Sequence, residues 1–107
     1  MAATPEAKVK AAVVKVLKEH DVYYFFPATY GMGRSGVPDI VCCVNGKFLA
    51  IECKAGNNIP TALQVNEMNK IQRANGVALV IYGHSVGALS GILKLIGESE
   101  QLCLPSL

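Results

Sequence analysis

The pair Asn45-Gly46 lies between two apolar runs, and it constrains the fold of this chain more than any other feature. Asn-Gly in such a setting is a strong signal for a β-hairpin with a two-residue type I′ turn. A turn of that length fixes the strand pairing and places Asp39 directly opposite Glu52. Directly opposed residues share one face of a sheet, with Cβ atoms roughly 4.5–5.5 Å apart. Because side chains alternate along a strand, Lys54 is expected on the same face as Glu52.

Two carboxylates held this close repel each other at neutral pH. They are tolerated if a cation lies between them or if one of them is protonated. Glu52 lies in the apolar run 48–53, which is hydrophobic enough to be buried on both faces, where an unpaired charge is costly. A salt bridge to Lys54 is the competing explanation, but it cannot also satisfy Asp39. The pattern therefore predicts a divalent-metal site with an ammonium beside it, which is chemistry for cutting phosphodiesters.

Each of these residues also has a purely structural explanation. Asp39 follows a proline and is an acceptable residue for the start of a strand, although strand interiors disfavour aspartate. Lys54 fits a solvent-exposed strand end. Neither explanation accounts for the two acids facing each other.

The length and composition predict one globular domain over residues 1–107. The chain is 51% hydrophobic and 17% charged, which argues against disorder. The net charge of +2 is too small to indicate a nucleic-acid partner by itself, so any basic surface must be local. No apolar run resembles a signal peptide or a membrane span, so we expect a cytoplasmic protein that does not bind membranes.

The four cysteines, Cys42, Cys43, Cys53 and Cys103, do not form the C-x-x-C spacing of a zinc or redox motif. We interpret them as small hydrophobic residues in a reducing compartment, with a thiol redox role as the alternative. His20 and His84 are isolated and are interpreted as surface or structural residues. The tyrosines at 23, 24 and 30 are interpreted as core or interface residues.

Hydrophobic spacing and turn signals predict the order helix, three strands, helix, strand, helix. The helices are expected at 4–20, 61–75 and 85–96, and the strands at 22–26, 39–44, 47–54 and 77–82. Leu63, Met68 and Ile71 are expected to supply part of the apolar face of the second helix. The last strand is a continuous apolar run typical of the middle of a sheet. Because a helix connects it to strand 47–54, the two should run parallel.

At this point a resemblance to a known family appears. Val37-Pro38-Asp39-Ile40 followed by Ile51-Glu52-Cys53-Lys54 resembles the signature of the PD-(D/E)xK nucleases. With Gly33-Arg34-Ser35-Gly36, Thr61-Ala62-Leu63-Gln64 and Gly76, the pattern is similar to the VRR-NUC branch of that superfamily over residues 6–82. The resemblance implies an α/β fold with a restriction-endonuclease-like αβββαβ core, in which helices flank a mixed sheet.

The resemblance also implies roles for the residues of the motif. Asp39, Glu52 and the backbone carbonyl of Cys53 would be metal ligands, for Mg²⁺ or, in vitro, Mn²⁺. Lys54 would act on the attacking water and the scissile phosphate.

Two further residues, Glu6 and Gln64, are implied members of the catalytic centre, and Glu6 is an additional candidate for a metal ligand. Each has an equally good structural role. Glu6 lies in the first turn of a helix, where an acid favours the helix dipole. Thr61-x-x-Gln64 is a capping box. The sequence leaves both alternatives open.

Arg34, with Gly33 and Ser35 beside it, is a candidate for contact with a DNA phosphate, because glycines let the backbone and an arginine approach closely. The alternative is an ordinary exposed loop arginine.

By resemblance, the function is metal-dependent and structure-specific DNA endonuclease activity that leaves 5′-phosphate and 3′-hydroxyl ends. Small stand-alone VRR-NUC proteins resemble viral or phage Holliday-junction resolvases. This implies branched DNA as the partner, a homodimer with two sites, and the cytoplasm of a bacterial or phage-infected cell. The alternatives are a flap or restriction-type endonuclease, and a non-catalytic DNA-binding domain with a degenerate nuclease site.

Overall fold

Helices and strands follow one another in the predicted order. The computed structural model describes residues 3–28 and 33–98. The elements are α1 (Pro5–Glu19), β1 (Tyr23–Phe25), β2 (Ile40–Val44), β3 (Lys47–Cys53), α2 (Ala62–Arg73), β4 (Val77–Ile81) and α3 (Val86–Glu98), with a 3₁₀ turn at Gly83–Ser85. The α/β class and the αβββαβ order are confirmed, and the strand boundaries differ from the predicted ones by one residue at several ends.

The hairpin forms in the predicted register. Val44 pairs with Lys47 and Ile40 pairs with Ile51 in the antiparallel ladder between β2 and β3. Asn45 and Gly46 have φ angles of 50° and 79°, as a type I′ turn requires. Continued by one residue, this register places Asp39 opposite Glu52.

The four strands form one mixed sheet in the order β1-β2-β3-β4. β4 runs parallel to β3, as the crossover through α2 predicts. The expectation that residues 77–82 lie in the middle of the sheet is wrong for the described residues, because β4 is an edge strand there. Its residues are half-buried, apart from the buried Ile81. Helices cover the strand, but no further described strand flanks its outer edge.

The hydrophobic core lies on one face of the sheet. α1 contributes Val13 and Leu17, and α3 contributes Leu89, to a cluster that includes the inward residues of β2 and β3. Those inward residues are Ile40, Cys42, Val44, Leu49, Ile51 and Cys53. No helix within residues 3–28 and 33–98 is long and apolar enough to cross a membrane.

α2 lies on the opposite face, where Ile71 lines a groove together with Val41 and Phe48 of the sheet. The expectation that Leu63 belongs to the buried side of this helix is wrong, because the residue is 57% exposed. The first turn of α2 instead uses its backbone for packing. An ideal Cβ on Gly36 would lie 2.6 Å from the carbonyl carbon and oxygen of Leu63.

This close approach predicts the effect of a methyl group in the loop before β2. Gly36 and Gly33 have nearly equal φ angles of 83° and 85°, but no described atom lies within 4 Å of a Cβ on Gly33. We expect Gly33→Ala to cost about 1 kcal/mol of unfolding free energy through backbone strain alone. Gly36→Ala should cost about 2 kcal/mol more, because the methyl group collides with α2. Urea denaturation of the two variants measures the difference, and equal losses would contradict the packing described.

Candidate functional site

The ladder between β2 and β3 ends at the pair Ile40–Ile51, and the two residues before Ile40 determine where the carboxyl group of Asp39 lies. The register would put Pro38 opposite Cys53, but proline has no N–H for the Cys53 carbonyl. The Cys53 N–H donates instead to Oδ2 of Asp39 at 2.8 Å. Since the N–H and C=O of a strand residue point to the same neighbouring strand, the Cys53 carbonyl is directed to the same side as this carboxyl.

The second acid, Glu52, is buried at the end of β3, with 4% of its surface exposed. Its Oε1 accepts a hydrogen bond from Nε2 of Gln64 at 2.9 Å. Nζ of Lys54 lies 3.9 Å from the same oxygen and 3.8 Å from Oε1 of Glu6. The structure therefore brings Glu6, Glu52, Lys54 and Gln64 together beside Asp39.

The structural alternative, in which Lys54 is a solvent-exposed residue at the end of a strand, is wrong, because its side chain is only 10% exposed. Its distances to the two acids exceed hydrogen-bond length, so charge attraction rather than a direct hydrogen bond holds the ammonium between them. Burial of an ammonium is costly unless acids surround it, and Glu6 and Glu52 provide that charge.

The pKa of Glu52 is raised to about 8. Burial is the largest cause, and the charge and hydrogen bonding of neighbouring Asp39 act in the same direction, while the Lys54 ammonium opposes them. Without a bound cation, Glu52 therefore carries a proton at neutral pH. A divalent cation between them would favour the ionised form instead.

The oxygen donors at this position suit a hard divalent cation. Mg²⁺ binds through one or two carboxylates and keeps several waters, and Asp39, Glu52 and the Cys53 carbonyl match that donor set. Across residues 3–28 and 33–98, no three His, Cys, Asp or Glu side chains form a metal-binding group. The role of Glu6 as a ligand stays a prediction, since the contact shown for its carboxylate is with Lys54.

Gln64 forms the capping box and also contacts Glu52, while its part in catalysis stays a prediction. The side-chain Oε1 of Gln64 accepts a hydrogen bond from the backbone N–H of Thr61 at 2.9 Å. The backbone N–H of Gln64 donates to Oγ1 of Thr61 at 3.2 Å, which completes a capping box. The amide nitrogen of the same side chain holds Glu52. The N-terminus of α2 and the buried acid are thus joined through one amide group.

Arg34 has a partner that the sequence analysis missed. Its Nε donates to Oε1 of Glu67 at 2.6 Å, and Nζ of Lys70 lies 3.9 Å from the other oxygen of that carboxylate. Glu67 is buried, with 5% of its surface exposed. The sequence contains one signal for this position: Glu67 lies three residues after Gln64, so the two side chains share one side of α2. Gly33 and Ser35 are exposed, and their contact with DNA stays a prediction.

Cys42 and Cys53 match the expectation of small buried hydrophobic residues, whereas Cys43 contradicts it. Cys42 and Cys53 are buried on the core face, and burial raises the pKa of their thiols to about 11 and about 12. Both are therefore protonated and unreactive at neutral pH. Cys43 points to the other face and is exposed. Cys103 lies outside the described residues.

The contacts shown for the two histidines are structural. Nε2 of His20 lies 2.7 Å from Oγ of Ser90, which joins the end of α1 to α3. The ring of His84 stacks on that of Tyr82, with centroids 5.3 Å apart. Of the three tyrosines interpreted as core or interface residues, Tyr24 packs against the core, whereas Tyr23 is 69% exposed. Tyr30 is outside the described ranges.

A comparison of the chain with protein-family models and with curated proteins gives no match. The case for a function therefore rests on the geometry of the site.

The raised pKa of Glu52 predicts how stability depends on pH. Between pH 4.5 and about 8 the folded protein keeps a proton that the unfolded chain releases. The free energy of unfolding of the metal-free protein should therefore fall across this range, by at most about 5 kcal/mol, and level off above it. Urea denaturation in EDTA at a series of pH values measures this.

In Glu52→Gln the decrease should be much smaller, because the titrating group is gone. The matched control is Glu19→Gln, which alters an exposed acid of α1 and should retain the wild-type decrease. Parallel pH profiles for wild type and Glu52→Gln would show that Glu52 has an ordinary pKa.

Proposed function

We propose that this protein is a metal-dependent DNA endonuclease of the VRR-NUC type within the PD-(D/E)xK nucleases. The observation that carries the proposal is the facing pair of Asp39 and Glu52, with the buried ammonium of Lys54 within 4 Å of Glu52. A buried acid with a facing acid is costly to the fold, and hydrolysis of a phosphodiester uses such a set directly. The αβββαβ order of the elements supports the same assignment.

Asp39, Glu52 and the carbonyl of Cys53 would hold the metal, which we propose to be Mg²⁺, with Mn²⁺ as a substitute. Such an ion supplies a bound water of lowered pKa and positive charge for the phosphate oxygens. Gln64 orients the carboxylate of Glu52 through its amide nitrogen. Asp39 is oriented by the Cys53 N–H, so both acids are fixed before substrate arrives.

Lys54 acts at the reacting phosphate. Its ammonium orients the attacking water and offsets the negative charge that grows on the phosphate oxygens. The attacking water releases a proton to solvent as its oxygen bonds to phosphorus, the bond from phosphorus to the 3′ oxygen breaks, and a proton from solvent neutralises the leaving oxygen. The products are a 5′-phosphate and a 3′-hydroxyl. Glu6 contributes by holding Lys54 in place.

We propose branched DNA, with a Holliday junction as the preferred form, as the substrate. The sheet and its helices account for most of the described residues. This favours recognition of the DNA backbone and shape over recognition of a long base sequence. Paired cuts in a junction need two sites, which a homodimer would supply.

The test is cleavage of a labelled four-way junction, a flap and a linear duplex, each with Mg²⁺. We expect the junction to be cut preferentially. Asp39→Asn and Lys54→Met should each lower the cleavage rate by at least about 100-fold, because each removes charge from the reacting centre. The matched controls Asp21→Asn and Lys94→Met change exposed residues and should cut normally.

Other outcomes would redirect the assignment. Equal cutting of all three substrates would defeat the preference for junctions, and preferential cutting of the flap or the linear duplex would indicate a flap or restriction-type enzyme. DNA binding without cleavage in Mg²⁺ or Mn²⁺ would indicate a non-catalytic domain. Cleavage by the double variant Cys42→Ser, Cys43→Ser at the wild-type rate would exclude thiol chemistry as its origin.

A further inference from the structure

A groove of about 580 Å³ opens on the α2 face of the sheet, beside the carboxyl pair. Pro38, which immediately precedes Asp39, is part of its wall, so the groove and the proposed catalytic centre adjoin. The volume is in the range of sites that hold a small molecule or a single nucleotide.

Two aromatic rings in the groove are half-exposed. Phe25 of β1 is 48% exposed and Phe48 of β3 is 46% exposed, and β2 runs between them, with Val41 paired to Phe25 and Cys43 paired to Phe48. Tyr23 continues the aromatic surface, with its ring 6.5 Å from that of Phe25. Rings presented in this way can stack against a flat ligand.

Positive charge lies along the α2 side of the groove. Arg34 and Lys70 both lie against the buried carboxylate of Glu67, so three charged groups carry a net charge of +1. The contact of Arg34 uses Nε, so its two Nη groups are not required for it, and the side chain is 71% exposed. A guanidinium oriented by an acid can bind a phosphate through two parallel hydrogen bonds.

We propose that the groove binds one unpaired nucleotide of single-stranded DNA. The base stacks on Phe48, Phe25 adds apolar surface across β2, and the adjoining phosphate accepts hydrogen bonds from Arg34, with Lys70 adding charge. The proposed endonuclease function is the reason for choosing DNA as the ligand. Stacking of this kind tolerates any base, so the groove would recognise an unpaired position next to the cut rather than a sequence.

The test is the affinity of the protein for a fluorescent oligothymidylate, measured by anisotropy in EDTA so that nothing is cut. Phe48→Ala should weaken binding about tenfold, which is the loss typical of one stacked base. Phe48→Leu keeps apolar volume at the site but removes the ring, and it should also weaken binding. The matched control is Phe26→Ala, which removes a ring of equal exposure, 47%, from outside the groove.

Arg34 is tested by its salt dependence. Arg34→Gln should lower the affinity and reduce the slope of log affinity against log salt by about 0.7, the value for one phosphate of a single strand. Arg73→Gln is the control, because Arg73 is an exposed arginine of α2 that does not line the groove. Circular dichroism and thermal unfolding confirm that each variant folds.

Equal losses in Phe48→Ala, Phe48→Leu and Phe26→Ala would overturn the proposal, as would absence of oligothymidylate binding. If the Phe48 variants instead dissociate a dimer in sedimentation and bind DNA normally, the groove is a self-association surface and the proposal is wrong.

The groove proposal and the endonuclease proposal can also fail separately. Junction cutting with oligonucleotide binding unaffected by the groove variants contradicts this inference alone. Groove-dependent binding by a protein that cuts no DNA contradicts the endonuclease proposal alone.

Discussion

The two-residue reversal at Asn45-Gly46 sets which face each residue of β2 and β3 occupies, and the rest of the structure depends on it. A slip of one residue would move Glu52 into the hydrophobic core and Ile51 out of it. The positive φ angles of the turn make the reversal tight, and Nδ2 of Asn45 donates to the carbonyl of Gly97 at 3.0 Å, which fastens the turn to α3. The core and the carboxyl pair therefore require the same register.

The carboxyl pair works against stability, which is why it supports a functional interpretation. Glu52 is buried, faces a like charge and keeps a proton that an exposed glutamate would release. An apolar residue of similar volume would suit the surrounding strand better. Local conflicts of this type are expected at functional sites, where the fold tolerates a cost for chemistry. The amide of Gln64 and the ammonium of Lys54 reduce that cost without removing it.

The sequence predicts what local signals determine and fails where distant segments meet. The turn gives the register of the hairpin, and Thr4 with the following proline correctly starts α1, because both signals act within a few residues. The pair between Arg34 and Glu67 joins residues 33 positions apart, and helical spacing indicates only which side of α2 Glu67 occupies, not its partner. The edge position of β4 was also missed, since an apolar strand covered by helices resembles a central strand. Leu63 has helical spacing, but its side chain is 57% exposed and only its backbone packs, against Gly36.

The proposed centre takes a residue from each layer of the molecule: Glu6 from one helical layer, the acids and the lysine from the ends of the sheet strands, and Gln64 from the other. The β2–β3 hairpin supplies the proposed metal ligands and Lys54, whereas Glu6 and Gln64, which contact Lys54 and Glu52, come from the two helical layers. A partly folded chain with one helix undocked would lose the contact that positions Lys54 or the one that positions Glu52. Loss of the centre should therefore coincide with loss of tertiary structure, and its integrity would report the cooperative folding of the whole domain.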